Sequence, residues 1–319
     1  MPPPSPPVAI VGTTASGKSA VALELARRRG DVELVSVDSM QVYRGMDIGT
    51  AKPTPAEQRT VRHHGIDLVD PWEDFDLHAF QQVVRDALAD IERRGRHALL
   101  VGGTGLYLRA VVDHLELPGR YPEVAARLAA EPDTAALHGR LASLDPQAAA
   151  RMEPTNRRRI VRALEVTLGS GRPFSTHGPG IDTYPPTRCS LVGLWLAPPV
   201  VGDRIAQRYR HQLAAGFLDE VRRLAEGPPL SRTAAHALGY RELLDHLAGG
   251  CSLDVAIERA VARTRRFARR QRAWFRRDPR ITWVGAGEDP LVALPLVEAH
   301  AAALWGPPGR SDGEPGRGS

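Results

Sequence analysis

A chain of 319 residues, 42% hydrophobic and 25% charged, has the size of about two globular domains with a sizeable buried core. No apolar run approaches the roughly 20 residues of a membrane span, and two cysteines, Cys189 and Cys251, make neither a disulfide framework nor a four-cysteine zinc site. The net charge of +5 leans toward a polyanionic partner. Met1 to Pro7 is proline-rich and lacks the charged and apolar regions of a signal peptide, so the cytoplasm is the expected compartment.

Val8 to Val11 reads as a buried strand, and Gly12-Thr13-Thr14-Ala15-Ser16-Gly17-Lys18-Ser19 follows it directly. That octet fits G-x-x-x-x-G-K-[ST], and the helix formers from Ala20 to Arg28 complete the strand–loop–helix setting of a phosphate-binding loop. Backbone N–H groups and the helix N-terminus would cradle a di- or triphosphate. Lys18 would reach the terminal phosphates and Ser19 would ligate Mg²⁺. The loop does not say what is done with the phosphate.

Val32 to Val37 is a second strand, ending in Asp38-Ser39-Met40-Gln41-Val42-Tyr43. Ligands of open α/β sheets bind at the carboxyl ends of the strands, which brings Asp38 near the loop. Position alone leaves a turn or capping aspartate open. His63 and His64 would point to opposite faces of a strand, with no third metal ligand at sensible spacing. Leu77 to Arg94 is helical. Ala98 to Val101 is a third buried strand and runs into Gly102-Gly103-Thr104-Gly105, where a nucleotide hydrolase would place an Mg²⁺-holding aspartate. The neutral loop argues against ordinary ATP hydrolysis.

Residues 116–188 change to short helical segments at Val124–Ala130, Thr134–Leu144, Pro146–Met152 and from Asn156 on, with a Gly/Pro-rich loop from Gly169 to Pro186. Ser190 to Leu196 returns to strand composition. Asp203 to Leu224 is helical with a break near Gly216. The helix from Leu253 to Arg277 buries a stripe at Ile257, Val261, Thr264, Ala268, Gln271 and Phe275, flanked by two arginine rows with no acid between Glu258 and Asp278. Such a helix suits a phosphate backbone, or is a solvated face. Ile281 to Val284 is a last strand. The fold expected is α/β: a P-loop NTPase-like parallel-sheet core at 8–115 and 189–305, an inserted small helical domain at 116–188, and disordered ends at 1–7 and 306–319.

Several stretches together are similar to one family. They are Gly12–Ser19; Ser36-Val37-Asp38-Ser39 with Val42-Tyr43; Gly45-Met46-Asp47-Ile48-Gly49-Thr50-Ala51-Lys52-Pro53; and Leu100-Val101-Gly102-Gly103-Thr104 with Leu106-Tyr107. Arg162-Ala163-Leu164-Glu165-Val166, Gly239-Tyr240-Arg241 and Thr264-Arg265 with Ala268-Arg269-Arg270-Gln271 and Trp274-Phe275 continue the series in order. The chain resembles the tRNA dimethylallyltransferases (tRNA isopentenyltransferases) of the bacterial type from residue 8 to about 284.

The resemblance implies transfer of a dimethylallyl group from dimethylallyl diphosphate to the exocyclic amine of adenosine 37 in tRNA, with Mg²⁺ and release of diphosphate. It implies that Gly12, Thr13, Thr14, Ala15, Ser16, Gly17, Lys18 and Ser19 hold the diphosphate, and that Asp38 and Thr104 are catalytic. Asp38 would be the general base, and Thr104 would act with Lys18 on the leaving group. The same resemblance assigns tRNA contacts to Asp38, Ser39, Met40, Gln41, Thr104, Arg127, Arg158, Arg159, Arg162, His236, Gly239, Tyr240, Arg241, Arg269, Arg270, Gln271, Trp274 and Arg276. The partners implied are tRNA, through its anticodon stem-loop, and dimethylallyl diphosphate; no membrane is involved and a monomer is expected. This chain departs from the family pattern at Thr13, at Thr155-Asn156 and at His236. An isopentenyltransferase of free adenine nucleotides, a small-molecule P-loop kinase and an RNA-binding module with a vestigial loop remain the alternatives.

Overall fold

The computed structural model describes residues 5–307 apart from Pro179 and Asp182. Strands β1 (Val8–Gly12), β2 (Val32–Val37), β3 (His63–His64), β4 (His97–Gly102), β5 (Ser190–Trp195) and β6 (Ile281–Gly285) form one sheet. Its order is β3-β2-β4-β1-β5-β6, with all neighbours parallel. β1 and β2 are buried along their whole length, because helices cover both faces of the sheet. Alternate residues serve opposite cores: Ala9 and Val11 face one cluster, Val8 and Ile10 the other.

The helices are α1 (Lys18–Arg29), α2 (Pro55–Thr60), α3 (Leu77–Arg93), α4 (Gly105–Val112), α5 (Pro122–Ala130), α6 (Thr134–Leu144), α7 (Pro146–Ala150) and α8 (Arg157–Ser170). After β5 come α9 (Pro198–Ala214), α10 (Phe217–Ala225), α11 (Arg232–Ala235), α12 (Tyr240–Leu247), α13 (Leu253–Phe275) and α14 (Leu294–Trp305).

The chain divides into two compact units, one of residues up to Val112 and from Pro186 on, the other Asp113–Pro185. These limits fall three residues before those read from composition. The smaller unit has its own core of Leu128, Leu137, Leu141, Ile160 and Leu164. Asn156 caps α8 by accepting from Arg159 N, so this departure from the family pattern still supplies a cap. α8 runs on to Ser170, where a loop was expected, and ends at Gly171 with φ +72°.

Three further expectations change. Pro6 and Pro7 are not loose: their carbonyls accept from Trp305 Nε1 and Ser190 N. Gly306 likewise accepts from Arg29 Nη1, while residues 1–4 and 308–319 lie outside the described residues. On α13 the buried stripe begins at Ala256 and Ala260, not at Ile257 and Val261. Small residues let neighbouring helices approach, and the larger ones sit at the edge.

Strand register sets the site. Val11 and Val37 both pair with Gly102, so the segments after β1, β2 and β4 leave the sheet side by side. The loop Gly12–Ser19, Asp38 and Gly103–Thr104 therefore converge at the carboxyl edge.

Candidate functional site

The phosphate loop is shaped by two residues in the left-handed region, Ala15 at φ +61° and Gly17 at φ +85°. Gly17 is required twice over, since a Cβ there would also run into the Pro290 ring. Ser16 N donates to Thr13 O at 3.2 Å and closes the turn. Ser16 Oγ is buried and has no partner. Lys18 Nζ donates to Thr13 O at 3.3 Å. Burial pushes its pKa down to about 8, Asp38 pulls it back up and Arg208 pushes it further down. Ser19, in the first turn of α1, is exposed.

Across from the loop, Asp38 Oδ1 accepts from Met40 N at 2.8 Å, which orients the carboxylate. Ser39 N donates to Thr104 Oγ1 at 3.3 Å, so the two catalytic candidates stand on one short hydrogen-bonded bridge. Gln41 is used internally, taking Ser36 Oγ and giving to the Thr50 and Ala51 carbonyls.

Two arginines not singled out from the sequence complete this site. Arg208 on α9 donates through Nη1 to Thr14 Oγ1 at 2.9 Å, and its Nε is buried without a partner. Arg204, one turn earlier, lies beside Gly17 with Nη1 buried and unpartnered. Unmet buried donors on Arg204, Arg208 and Ser16 around one loop are what an anion would satisfy. The only signal in the sequence is their i, i+4 spacing, invisible among so many arginines.

Gln271 was expected on the RNA face and is buried instead. Its Oε1 accepts from Thr14 N at 2.8 Å and its Nε2 donates to Gly103 O at 2.8 Å. Trp274 packs on Gly105, where a Cβ would run into the indole. Tyr240 is fully buried, its hydroxyl donating to Glu220 Oε1 at 2.5 Å, and Gly239 caps α12 with φ +86°. Neither faces solvent in this structure, and both are engaged in shaping the fold.

His236 and Arg241 are exposed, and His236 Nδ1 lies 2.8 Å from Arg232 O. Arg269 and Arg270 are exposed on α13, and Arg276 is exposed just after its end. The helix is less uniformly basic than its sequence implies, because Arg259 pairs with Asp245 and Arg263 with Glu242, acids supplied by α12. In the smaller unit Arg127, Arg158 and Arg159 are exposed. Arg162 is partly exposed and is engaged internally, with Glu165 and the carbonyls of Pro118 and Gly119.

A glycine loop at the edge of a parallel sheet, with buried cations gathered over it and a carboxylate opposite, defines a phosphate-loop α/β protein. Within that class, a family model described as IPP transferase matches residues 41–278, and one described as isopentenyl transferase matches residues 7–67. The chain belongs to the IPP transferase family, a family of prenyl-transferring enzymes. It is 52% identical over 306 residues to a tRNA dimethylallyltransferase of Acidothermus cellulolyticus, covering 93% of each chain. It is 48% identical to the tRNA dimethylallyltransferase of Streptomyces coelicolor, covering 94% of this chain and 99% of the relative. Among solved structures, the full-length tRNA isopentenylpyrophosphate transferase of Bacillus halodurans superposes with a TM-score of 0.70 at 36% identity, covering 94% and 97% of the two chains. Among the described residues no helix is long and apolar enough to cross a membrane.

Proposed function

We propose that this protein transfers a dimethylallyl group from dimethylallyl diphosphate to the exocyclic amine of adenosine 37 in tRNA. The observation that carries the reading is the facing of Asp38 and Thr104 against a loop crowded by Lys18, Arg204 and Arg208. A carboxylate opposite a diphosphate cradle suits alkyl transfer to a weak nitrogen nucleophile. The amine attacks the allylic carbon, the carbon–oxygen bond breaks, and the proton leaves the nitrogen for Asp38. Lys18, Arg204, Arg208, the Thr104 hydroxyl and the loop amides meet the charge that builds on the departing diphosphate.

A magnesium ion fits this donor set. Among the described residues no three His, Cys, Asp or Glu side chains come together as a cage. Ser19 offers one hard oxygen in the first turn of α1, and the remaining ligands would be diphosphate oxygens and water, the usual arrangement for this ion. Bound there, it supplies charge neutralisation to the diphosphate.

Adenosine 37 must leave its stack to reach Asp38. The exposed Arg127, Arg158 and Arg159 of the smaller unit and His236, Arg241, Arg269, Arg270 and Arg276 of the larger are the RNA contacts in this reading. The protein acts in the cytoplasm as a monomer. The test is to supply radiolabelled dimethylallyl diphosphate and Mg²⁺ with unmodified tRNA, AMP or ATP. Label is expected in tRNA alone, and lost when guanosine replaces adenosine 37. Label in a mononucleotide moves the protein to the free-nucleotide transferases.

A further inference from the structure

The arginines of α13 divide by flank. On the side facing α12, Arg259 and Arg263 are neutralised by Asp245 and Glu242. On the side facing α9, Arg265, Arg269 and Arg272, with Arg276 just past the end of the helix, make no salt bridge among the described residues. Arg265 donates to Gly202 O and Arg272 to Leu196 O, neutral acceptors that leave the charge in place.

This second flank borders a groove. α9 and α13 leave a cavity of about 320 Å³, lined by Pro198, Val201, Ile205, Arg265, Arg269 and Arg272, with Asp203 the one acid on its wall. That volume is in the range of small-ligand sites. Beyond Arg272 the surface becomes aromatic. The Arg272 guanidinium lies over the Trp195 ring at 4.9 Å, and Trp195 meets Trp283 edge-on at 6.0 Å and 87°. Each tryptophan is 37% exposed. Arg272, Trp195 and Trp283 also share a pocket with Thr13 of the phosphate loop. Burial lowers the Arg272 pKa and the neighbouring Arg276 lowers it further, so two like charges are held together here.

Cations without salt-bridge partners interleaved with partly exposed tryptophans are what a single strand needs: charge for the phosphates, ring surface for the bases. We propose that the α9–α13 groove and the Trp195–Trp283 pair form a track for unpaired nucleotides of the RNA substrate that flank the reacting base. The proposal rests on the RNA-acting reading above. A free anion is disfavoured as occupant because it would leave the aromatic end of the track unused.

The test uses the full chain and an anticodon stem-loop RNA with 5-iodouridine placed in turn at each unpaired position. Irradiation of the wild-type complex is expected to cross-link at least one position to Trp195 or Trp283, located by mass spectrometry. Trp195→Ala is expected to weaken RNA binding about tenfold, the order of one lost stacking contact. The double variant Arg265→Gln, Arg272→Gln is expected to reduce the slope of log affinity against log salt by about 1. Cross-links confined to other residues, with unchanged affinity and slope in folded variants, would overturn the track. If wild-type protein prenylates the RNA but these readouts are flat, the track alone falls. If tryptophan cross-links form and no prenylation occurs, the track stands and the catalytic reading falls. If the RNA is neither bound nor modified, both fall.

Discussion

Two glycine-rich stretches carry the family pattern, and they differ in what their surroundings leave unmet. Around Gly12–Ser19, the buried polar atoms Ser16 Oγ, Arg204 Nη1 and Arg208 Nε have no partner. Around Gly45–Pro53 the loop's own amides and its lysine are taken up, and an unmet buried atom beside it is Oε1 of Gln212, whose Nε2 donates to the Ile48 and Gly49 carbonyls. Glu220 accepts from the amides of Asp47, Ile48 and Gly49 and from the Tyr240 hydroxyl. Lys52 Nζ, almost wholly buried, meets Tyr43 O, Asp47 and Asp67. The first stretch has the unmet donors that the proposed diphosphate would satisfy, and the second is bonded mainly to its own scaffold. Its Thr50 and Ala51 carbonyls hold Gln41, three residues from Asp38. The longer and more specific motif is thus the one that need not touch substrate; its specificity comes from the number of internal bonds it must satisfy.

Substitutions on either side can break that contrast. The largest effect is expected from Asp38→Ala, which should slow single-turnover prenyl transfer by about 10²–10⁴ while leaving the melting temperature unchanged. A near-normal rate would remove Asp38 from the proton-transfer role. Arg208→Gln should cost about 10²–10³ in transfer rate, read in the same assay, because a charged donor to the leaving group is lost. Glu220→Ala tests the scaffold from the opposite direction. Stranding three amides and a tyrosine hydroxyl should lower stability by about 3 kcal/mol in urea unfolding, with donor affinity within twofold of normal. Loss of donor affinity at intact stability would make that loop part of the ligand site.

The smallest effect is a pH dependence. Lys18 with a pKa of about 8 loses its charge as pH rises through 8, so donor affinity should fall up to about tenfold per pH unit above it. Calorimetric titration between pH 7 and 10 measures this, and Lys18→Arg should flatten it. The same shift has the opposite sign for the free protein. The folded pKa lies below the unfolded one, so the unfolded chain binds more protons between about 8 and 10.5. Stability without ligand therefore rises with pH across that window.

The strands and the loop between β1 and α1 were legible because apolar runs and glycine punctuation are local. β2 spans the residues read from sequence, Val32–Val37, and the break between α9 and α10 falls at Gly216. α14 was not legible. It is apolar on most sides, with Leu296 and Leu304 exposed, and has no side-chain cap, so it shows neither clear period nor start signal. The catalytic candidates were found through motif similarity, whereas Arg204 and Arg208 needed the topology that lays α9 across the loop. The burial of Gln271 and Tyr240 was not legible for a related reason: a motif names residues without saying whether the fold exposes them.

Gln271 has one more consequence. Its acceptor end holds the donor-side loop at Thr14 and its donor end holds the acceptor-side loop at Gly103. A primary amide is polar in opposite senses at its two ends, and only that polarity fits here. A glutamate of the same length would set a carboxylate oxygen against the Gly103 carbonyl. The side chain therefore works as a keyed tie-bar between the phosphate loop and the Gly103 loop, and in the function proposed above it would join the donor side and the nucleobase side into one part.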